Sequence, residues 1–363
     1  MKLKVACVQI NPKIGNVEAN IKKVQQMLSK LQGVDIVMLP EFAITGYNFP
    51  DRKALEPYLE LTTSGRSTQL AKEILTKHEC FTLIGYPEKD KERDYNIYNS
   101  AVLTAPNGSV LYNYRKTFLY DTDVAFGCQE NPDKEFTPLR LVLDKEYYLN
   151  KQPNKEYPAV TTNFGICMDL NPYQFTAPFN KFEMSLACFA NKATLILCPM
   201  AWLSSKSPSI SESGDKTHQS EMYEQKFFSH NNVPAYNLEA MSRDNYSNQL
   251  VEQHELQDKP FVPQNPDYST INYWILRFFP FLNHPNNQLA KYYKSVTVVA
   301  CNRVGIESDV LYGGSSAIFQ FSDSPGNYEI DNRNPSVVVR GCLGQGEEGV
   351  LMREIDIDVS ASS

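Results

Sequence analysis

The sequence lacks the patterns that mark several common classes of protein. Its eight cysteines include no CxxC pair and its five histidines are scattered, so the ligand spacing of a zinc site is missing. It has no basic tract, and a formal net charge of -7 disfavours nucleic acid or a membrane surface as a partner. The first apolar stretch, 5–10, is too short for a secretory signal or a membrane span. We therefore expect a cytoplasmic or nuclear protein with reduced thiols and no metal site.

Composition and hydrophobic periodicity predict a layered α/β protein. The chain has 363 residues, of which 42% are hydrophobic, and this is enough for a large core. Two apolar strands, 3–10 and 34–39, flank a helical pattern between Asn16 and Gly33, as in a βαβ unit. About a dozen strands in all, in βαβ units and hairpins, predict stacked sheets with helices outside. We also expect a helix over roughly 179–192, and a loop over 121–155 because that segment is polar and contains prolines.

The stretch 204–292 differs from the rest of the chain. It is rich in Ser, Asn, Gln and Pro, and an aromatic block at 273–281 interrupts it. We interpret it as a long, partly flexible insertion in a single domain that spans 1–363. The aromatic block is expected to dock on the core.

Cys167 is the strongest candidate for a nucleophile. An apolar strand leads to it and a turn at 171–173 follows, so its side chain can stand clear of the sheet. A nucleophilic thiol needs a base and a group that stabilises an oxyanion. The histidines lie in polar or turn-like segments, which argues against a Cys–His pair. Glu41 and Lys116 instead share the context of Cys167, because each follows an apolar strand and strand ends on one edge of a sheet converge.

Each of these three residues also has a structural interpretation. Glu41 fits a charge at a helix N-terminus, and Lys116 fits a solvated side chain. Cys167 fits a small buried residue of the core. If Cys167 is the nucleophile, the backbone N–H of Met168 is a candidate oxyanion donor beside Lys116.

Three motifs together resemble the nitrilase, or carbon–nitrogen hydrolase, superfamily. They are Pro40-Glu41-Phe42, Tyr114-Arg115-Lys116-Thr117 and Gly165-Ile166-Cys167-Met168-Asp169, in the order of the Glu-Lys-Cys triad of that family. Segments 199–202, 302–305 and 313–316 are similar as well. The resemblance implies a four-layer αββα sandwich that hydrolyses a carbon–nitrogen bond without a metal or organic cofactor.

Longer runs are similar to the fungal branch of the superfamily that deamidates N-terminal Asn and Gln in the N-degron pathway of protein degradation. They read PEFAITGY, NYRKTFLYDT, GICMDLNPY, APFNKFE, LILCPMAWL and NYWILRFFPFL. This resemblance implies a polypeptide substrate with N-terminal Asn or Gln, attacked by Cys167 with Glu41 as base. Lys116 and the Met168 N–H would hold the oxyanion. The insertion replaces a helix that many family members carry before 302–305. This departure affects the usual dimer interface, so the sequence does not decide between a monomer and a homodimer.

The resemblance also suggests residues around the triad. The second glutamate of the family corresponds to Glu130, with Glu135 as the alternative, although a solvated loop carboxylate fits the same pattern. Asp169 is placed to bind the α-ammonium of a chain terminus, or else it caps the next turn. Trp202 and Tyr173 are candidate walls of the pocket, although an aromatic residue near a strand end is more often part of the core.

Two other functions fit the motifs. A small-molecule amidase or nitrilase of the same superfamily would carry the same triad, and Asp169 and the insertion favour a peptide substrate over it. A non-catalytic module that binds chain termini would not require an intact Glu, Lys and Cys.

Overall fold

Strands and helices alternate along most of the chain. The computed structural model describes residues 1–212, 214–231, 260–284, 286–323 and 336–359. Its strands are β1 (Lys2–Gln9), β2 (Ile36–Met38), β3 (Glu60–Leu61), β4 (Phe81–Asp90), β5 (Asn96–Thr104), β6 (Val110–Arg115), β7 (Leu139–Val142), β8 (Ala159–Phe164), β9 (Leu195–Met200), β10 (Ser295–Asn302), β11 (Val304–Glu307), β12 (Val310–Gly313), β13 (Ala317–Ser322), β14 (Val337–Cys342) and β15 (Gly349–Asp356). Its helices are α1 (Val17–Leu28), α2 (Arg52–Leu55), α3 (Arg66–His78), α4 (Asp121–Phe126), α5 (Glu146–Leu149), α6 (Glu183–Ala190), α7 (Lys216–Asn231) and α8 (Tyr268–Arg277). Within these ranges, no helix combines the length and apolar character needed to cross a lipid bilayer.

Two mixed sheets contain most of the strands. One has the order β15-β1-β2-β4-β5-β6, with β3 also paired to β4, and the other has the order β14-β13-β10-β9-β8-β7. β1, β2 and β4 run parallel, as do β8, β9 and β10. Parallel neighbours need a crossover connection, and α1, α3 and α6 lie in such connections. β11 and β12 form a separate hairpin.

The two sheets stack face to face, and helices cover both outer faces. In β1, Val5 and Cys7 belong to the core between the sheets, whereas Ala6 and Val8 pack against α1 and α3. In β9, Ile196 points away from the other sheet and packs with residues of α6 and α8. Because strand side chains alternate between faces, this pattern builds four layers. The αββα sandwich that the family resemblance implied is confirmed.

The segment 204–292 contains α7 and α8. Ile271 and Trp274 of α8, and Phe278 directly after it, pack onto the outer face of the second sheet in a cluster that includes Val298 and Phe319. The predicted docking of the aromatic block is therefore confirmed. The expectation of flexibility also covers residues that lie outside the described part of the chain, namely 213, 232–259 and 285.

Two local predictions differ from the structure. A helix was expected over 179–192, but α6 covers only Glu183–Ala190, after a 3-10 turn at Phe179–Lys181. The reason is Phe182, whose φ of 46° is left-handed and interrupts the helix. The segment 121–155 was expected to be loop, yet it contains α4, β7 and α5, which are too short to produce a periodic pattern.

The carboxyl ends of strands from both sheets meet at one edge of the sandwich. Glu41 follows β2, Lys116 follows β6 directly and Cys167 comes shortly after β8. Ala201, directly after β9, donates its backbone N–H to Glu41 Oε2 at 2.7 Å and so joins the two sheets at this edge. The expected convergence of the strand ends is thereby confirmed.

Gly85 in β4 allows the Glu41 loop to approach the sheet. A Cβ at Gly85 would lie 2.6 Å from both Glu41 Cα and the carbonyl oxygen of Pro40. Gly85→Ala is therefore expected to lower the free energy of unfolding in urea by about 1–3 kcal/mol, because the loop must move. Gly349→Ala in β15 of the same sheet is the matched control, since the nearest atom to a new Cβ there is 3.7 Å away. Equal losses in the two variants would contradict the argument.

Candidate active site

Lys116 and Glu41 form a fully buried ion pair. Lys116 Nζ donates to Glu41 Oε1 at 2.8 Å, and both side chains are 0% exposed. Asn99 Nδ2 donates to the same oxygen at 2.6 Å, and the Ala201 N–H donates to Oε2 at 2.7 Å. Because a carboxylate oxygen accepts more than one hydrogen bond, Oε2 keeps capacity to accept a proton. The carboxylate is therefore fixed in place and still able to act as a base.

Asp123 in α4 holds the other side of the Lys116 ammonium. Its Oδ2 accepts from Lys116 Nζ at 2.7 Å and from Tyr120 N at 2.9 Å. Its Oδ1 accepts from the Tyr47 hydroxyl at 2.9 Å and from Asn99 Nδ2 at 2.8 Å. This residue was not predicted from the sequence, since it does not directly follow a strand. Its one signal is an acidic position in the first turn of a short helix.

Cys167 begins a 3-10 turn, Cys167–Leu170, shortly after β8. Its φ of 44° lies in the left-handed region, which few residues other than glycine adopt. Cys167 is partly exposed, whereas the other seven cysteines are buried. The strained turn therefore presents this thiol, and no other, to a cavity.

The charges around Cys167 favour a protonated thiol in the resting site. Burial raises the pKa of Cys167 well above its usual range, Glu41 raises it further, and Lys116 lowers it in part. Burial lowers the pKa of Lys116, but Asp123 and Glu41 more than offset this effect and hold it well above its usual value. Burial also raises the pKa of Glu41, against the lowering effect of Lys116. This arrangement suits transfer of the thiol proton to Glu41 during attack, rather than a preformed thiolate.

Two hydrogen-bond donors remain available beside Cys167. An ammonium has three N–H groups, and Lys116 uses two of them on Glu41 and Asp123. Within the described residues, the Met168 N–H makes no hydrogen bond to another part of the backbone, and Met168 borders the cavity. Both groups are therefore free to hold a negative oxygen, and their role as oxyanion donors stays a prediction.

Asp169 does not face the cavity, contrary to the expectation that it binds an ammonium. Its carboxylate accepts hydrogen bonds from Thr117 N at 2.9 Å, Phe118 N at 2.7 Å, Ile166 N at 2.7 Å and the Tyr114 hydroxyl at 2.7 Å. Burial raises its pKa to about 6, against the lowering effect of these donors. Asp169 instead ties the Cys167 turn to the backbone that follows Lys116, so its position favours the structural alternative.

Glu130 lies away from the triad. Its Oε1 accepts from the Tyr173 hydroxyl at 2.8 Å, and its side chain is 25% exposed. Neither Glu130 nor Tyr173 lines the cavity over the thiol. Glu135, the alternative, is exposed to solvent. The structure thus brings neither glutamate to Lys116, and the second carboxylate there is Asp123.

A cavity of about 420 Å³ lies over Cys167. Its other lining residues are mostly aromatic, small or hydroxyl-bearing: Tyr47, Tyr120, Met168, Asn171, Phe175, Ala201, Trp202, Leu203, Ser204, Ser205, Ile210, Ser269, Thr270 and Tyr273. Trp202 is therefore at the wall, as predicted. Ser269, Thr270 and Tyr273 belong to α8, so the segment 204–292 builds part of the wall, which was not predicted. None of these lining residues carries a formal charge.

The wall from α8 is bonded to the turn that follows the nucleophile. The Tyr273 hydroxyl donates to Asn171 Oδ1 at 2.7 Å, and the Tyr273 ring lies 5.7 Å from the Trp202 ring, centre to centre. Arg277 Nε donates to the carbonyl oxygen of Leu170 at 2.6 Å, at the end of the Cys167 turn. The helix therefore fixes the shape of the cavity as well as covering the sheet.

The chain belongs to the carbon–nitrogen hydrolase family. The family model described as carbon–nitrogen hydrolase matches residues 4–166. The chain is 33% identical to the Protein N-terminal amidase of Saccharomyces cerevisiae, over 99% of this chain and 96% of that protein. It is 28% identical to the Protein N-terminal amidase of Schizosaccharomyces pombe, over 98% of this chain and 100% of that protein.

Solved structures give the same relationship. A crystal structure of N-terminal amidase is 32% identical, has a TM-score of 0.73, and covers 98% of this chain and 97% of its own. A crystal structure of N-terminal amidase with an Asn-Glu-Ala peptide matches with the same identity, coverage and TM-score. Another holds a Gln-Val peptide, with a TM-score of 0.72, 32% identity, and coverage of 98% of this chain and 97% of that one.

Asp169→Asn tests the structural role of that carboxylate. The change turns one acceptor oxygen into a donor that faces two donors, so we expect the free energy of unfolding at neutral pH to fall by about 1–3 kcal/mol. Urea unfolding measures the loss. Asp133→Asn is the control, because Asp133 is exposed. A loss no larger than that of the control would show that the Asp169 carboxylate does not stabilise the Cys167 turn.

Proposed function

We propose that the chain is a protein N-terminal amidase, which hydrolyses the side-chain amide of an N-terminal Asn or Gln to Asp or Glu and releases ammonia. The observation that carries the proposal is the buried Glu41–Lys116 pair beside the presented thiol of Cys167. The chain resembles N-terminal amidases over almost its full length, which supports the same activity. The proposed substrates are therefore polypeptides that begin with Asn or Gln.

The first step is attack by Cys167 Sγ on the carbon of the side-chain amide. The thiol proton moves to the carboxylate of Glu41 as the S–C bond forms. The carbonyl oxygen becomes negative, and the free N–H of Lys116 and the N–H of Met168 hold it. The ammonium needs no reorganisation, because Glu41 and Asp123 already fix it at 2.8 and 2.7 Å.

The tetrahedral intermediate then loses nitrogen. Glu41 returns its proton to the amide nitrogen, the C–N bond breaks, and ammonia leaves a thioester on Cys167. A water molecule next loses a proton to Glu41 and attacks the thioester. The C–S bond breaks, the thiolate takes the proton back from Glu41, and the product carries a carboxylic acid in place of the amide. One water is consumed and one ammonia is formed in each cycle.

The proposed binding of a chain terminus uses neutral groups, because none of the cavity-lining residues carries a formal charge. Since Asp169 is turned away, we propose that the α-ammonium binds against Trp202, Tyr273 and Asn171, which line the cavity. Aromatic faces attract ammonium groups, with about 2 kcal/mol or more at desolvated sites. Recognition by rings and neutral oxygens therefore replaces the carboxylate anchor predicted from the sequence.

Ammonia release from short peptides tests the function. Peptides that begin with Asn or Gln should be turned over, and Cys167→Ser should abolish turnover while the circular dichroism spectrum and Tm stay the same. An N-acetylated Asn peptide should be a poor substrate, because it has no α-ammonium. If acetyl-Asn peptides or free small amides react as fast as Asn peptides, the enzyme is instead a general small-molecule amidase.

A pair of carboxylate variants tests the second carboxylate. Asp123→Asn is expected to lower kcat about 100-fold, because Lys116 loses one of the charges that position it for the oxyanion. Glu130→Gln should leave kcat near the wild-type value, since Glu130 contacts Tyr173 rather than the triad. The ammonia assay on an Asn peptide measures both. The reverse ranking would restore Glu130 as the catalytic carboxylate.

A further inference from the structure

A second buried ion pair, between Arg303 and Glu307, lies outside the mechanism above. Arg303 is 0% exposed, and its Nη1 lies 2.6 Å from Glu307 Oε1. The guanidinium carbon stacks 3.9 Å above the centre of the Tyr312 ring. Arg303 directly precedes β11, Glu307 ends β11 and Tyr312 lies in β12, so this charged clamp holds the hairpin of β11 and β12.

The carboxylate of this clamp reaches the loop after Glu41. Glu307 Oε2 accepts from Asn48 N at 2.8 Å and from Tyr47 N at 3.2 Å. The loop fits closely around it, since a Cβ on Gly46 would lie 2.8 Å from Glu307 Oε1 and Gly46 has a φ of +80°. The backbone position of Tyr47 therefore depends on Glu307.

Tyr47 connects the clamp to the active site. Its hydroxyl donates to Asp123 Oδ1 at 2.9 Å, and Asp123 Oδ2 accepts from Lys116 Nζ at 2.7 Å. The Tyr47 ring packs edge-on against Phe126 at 6.0 Å, and Lys116 Nζ lies 5.8 Å from its centre. A continuous series of contacts thus runs from the hairpin to the ammonium.

We propose that Glu307, held by Arg303, is a positioning residue for the reaction. It fixes the Tyr47 backbone so that the Tyr47 hydroxyl holds Asp123, and Asp123 in turn holds the Lys116 ammonium at the oxyanion position. The effect on kcat rests on the proposed amidase function. The effect on the reactivity of Cys167 does not, because it needs only the position of Lys116 beside the thiol.

The hairpin also supports the cavity wall, so a general displacement of the hairpin can be distinguished from an effect on Tyr47. Ser204 N donates to Leu311 O at 2.8 Å, and Gly313 N donates to Trp202 O at 2.9 Å. A general displacement of the hairpin would therefore move the wall and change KM. A change that acts only through the Tyr47 hydroxyl and Asp123 leaves the Trp202 wall in place and changes kcat.

Three variants test this series of contacts: Tyr47→Phe, Glu307→Gln and the two combined. Tyr47→Phe removes the hydroxyl from Asp123, and Glu307→Gln places an amide donor against backbone donors. Each single change is expected to lower kcat by on the order of tenfold to a hundredfold, because small displacements of a catalytic group cost this much. KM for an Asn peptide should change little. Because Glu307 acts through Tyr47, the double variant should lose no more kcat than Tyr47→Phe alone.

Alkylation of Cys167 by iodoacetamide supplies a readout that does not need a substrate. Cys167 is the one cysteine that is not buried, so it should react first. The three variants should react several-fold more slowly than the wild type at one pH, because Lys116 leaves the place from which it stabilises the thiolate. If the wild type releases no ammonia from Asn or Gln peptides, the proposed function fails while this measurement still tests the positioning role.

Glu348→Gln is the matched control for lost stability. Glu348 accepts from Asn11 N at 2.7 Å and from Lys23 Nζ at 2.9 Å, and it contacts neither Tyr47 nor the triad. Its variant should change Tm without changing kcat or the alkylation rate. The proposal is overturned if Glu307→Gln behaves like Glu348→Gln, if its loss appears in KM, or if the two losses of kcat multiply in the double variant.

Discussion

The buried ammonium of Lys116 between two carboxylates is the interaction on which the rest of the site depends. Two carboxylates and one ammonium leave a net negative charge in a place without solvent, and such a charge is costly unless other groups donate hydrogen bonds to it. The structure supplies these donors from every side: the Asn99 amide, the Tyr47 hydroxyl, and the N–H groups of Tyr120 and Ala201. Because the donors come from both sheets and from α4, a stable site requires the two sheets to close in one arrangement.

The same charge explains why the site functions without histidine. Burial, together with the nearby Glu41 carboxylate, opposes a thiolate, so the pKa of Cys167 is raised and the thiol stays protonated until an electrophile arrives. Glu41, whose pKa burial raises, is a stronger base than an exposed carboxylate. In the proposed reaction, proton transfer and attack are then coupled, and Lys116 stabilises the negative charge that forms on the substrate oxygen. This arrangement stabilises the transition state rather than a thiolate of Cys167 in the resting site.

The sequence predicted the parts of the site that follow strands and missed the parts set by local turns. Glu41, Lys116 and Cys167 each follow an apolar strand, so their convergence was visible in the pattern, and the family resemblance supplied the four layers. Asp169 was assigned to the pocket because it is close to Cys167 in sequence. The left-handed φ of Cys167 and the 3-10 turn instead direct the Asp169 carboxylate to the backbone N–H groups of Thr117 and Phe118. Asp123 could not be distinguished from Glu130, because both lie in a polar segment where periodicity is silent.

The negative charge of the site also bears on how tightly it binds the substrate and the product of the proposed reaction. The substrate side chain is a neutral amide, and it enters a site whose single ammonium is already balanced by Glu41 and Asp123. The product acid becomes a carboxylate when it loses its proton, close to those two carboxylates, and none of the cavity-lining residues carries a formal charge. Like charges at this range in a poorly solvated site repel strongly. We therefore expect the product to leave more readily than the substrate, and peptides that begin with Asp or Glu to bind poorly. The negative charge beside the base Glu41 thus also favours binding of the neutral amide over binding of the charged product.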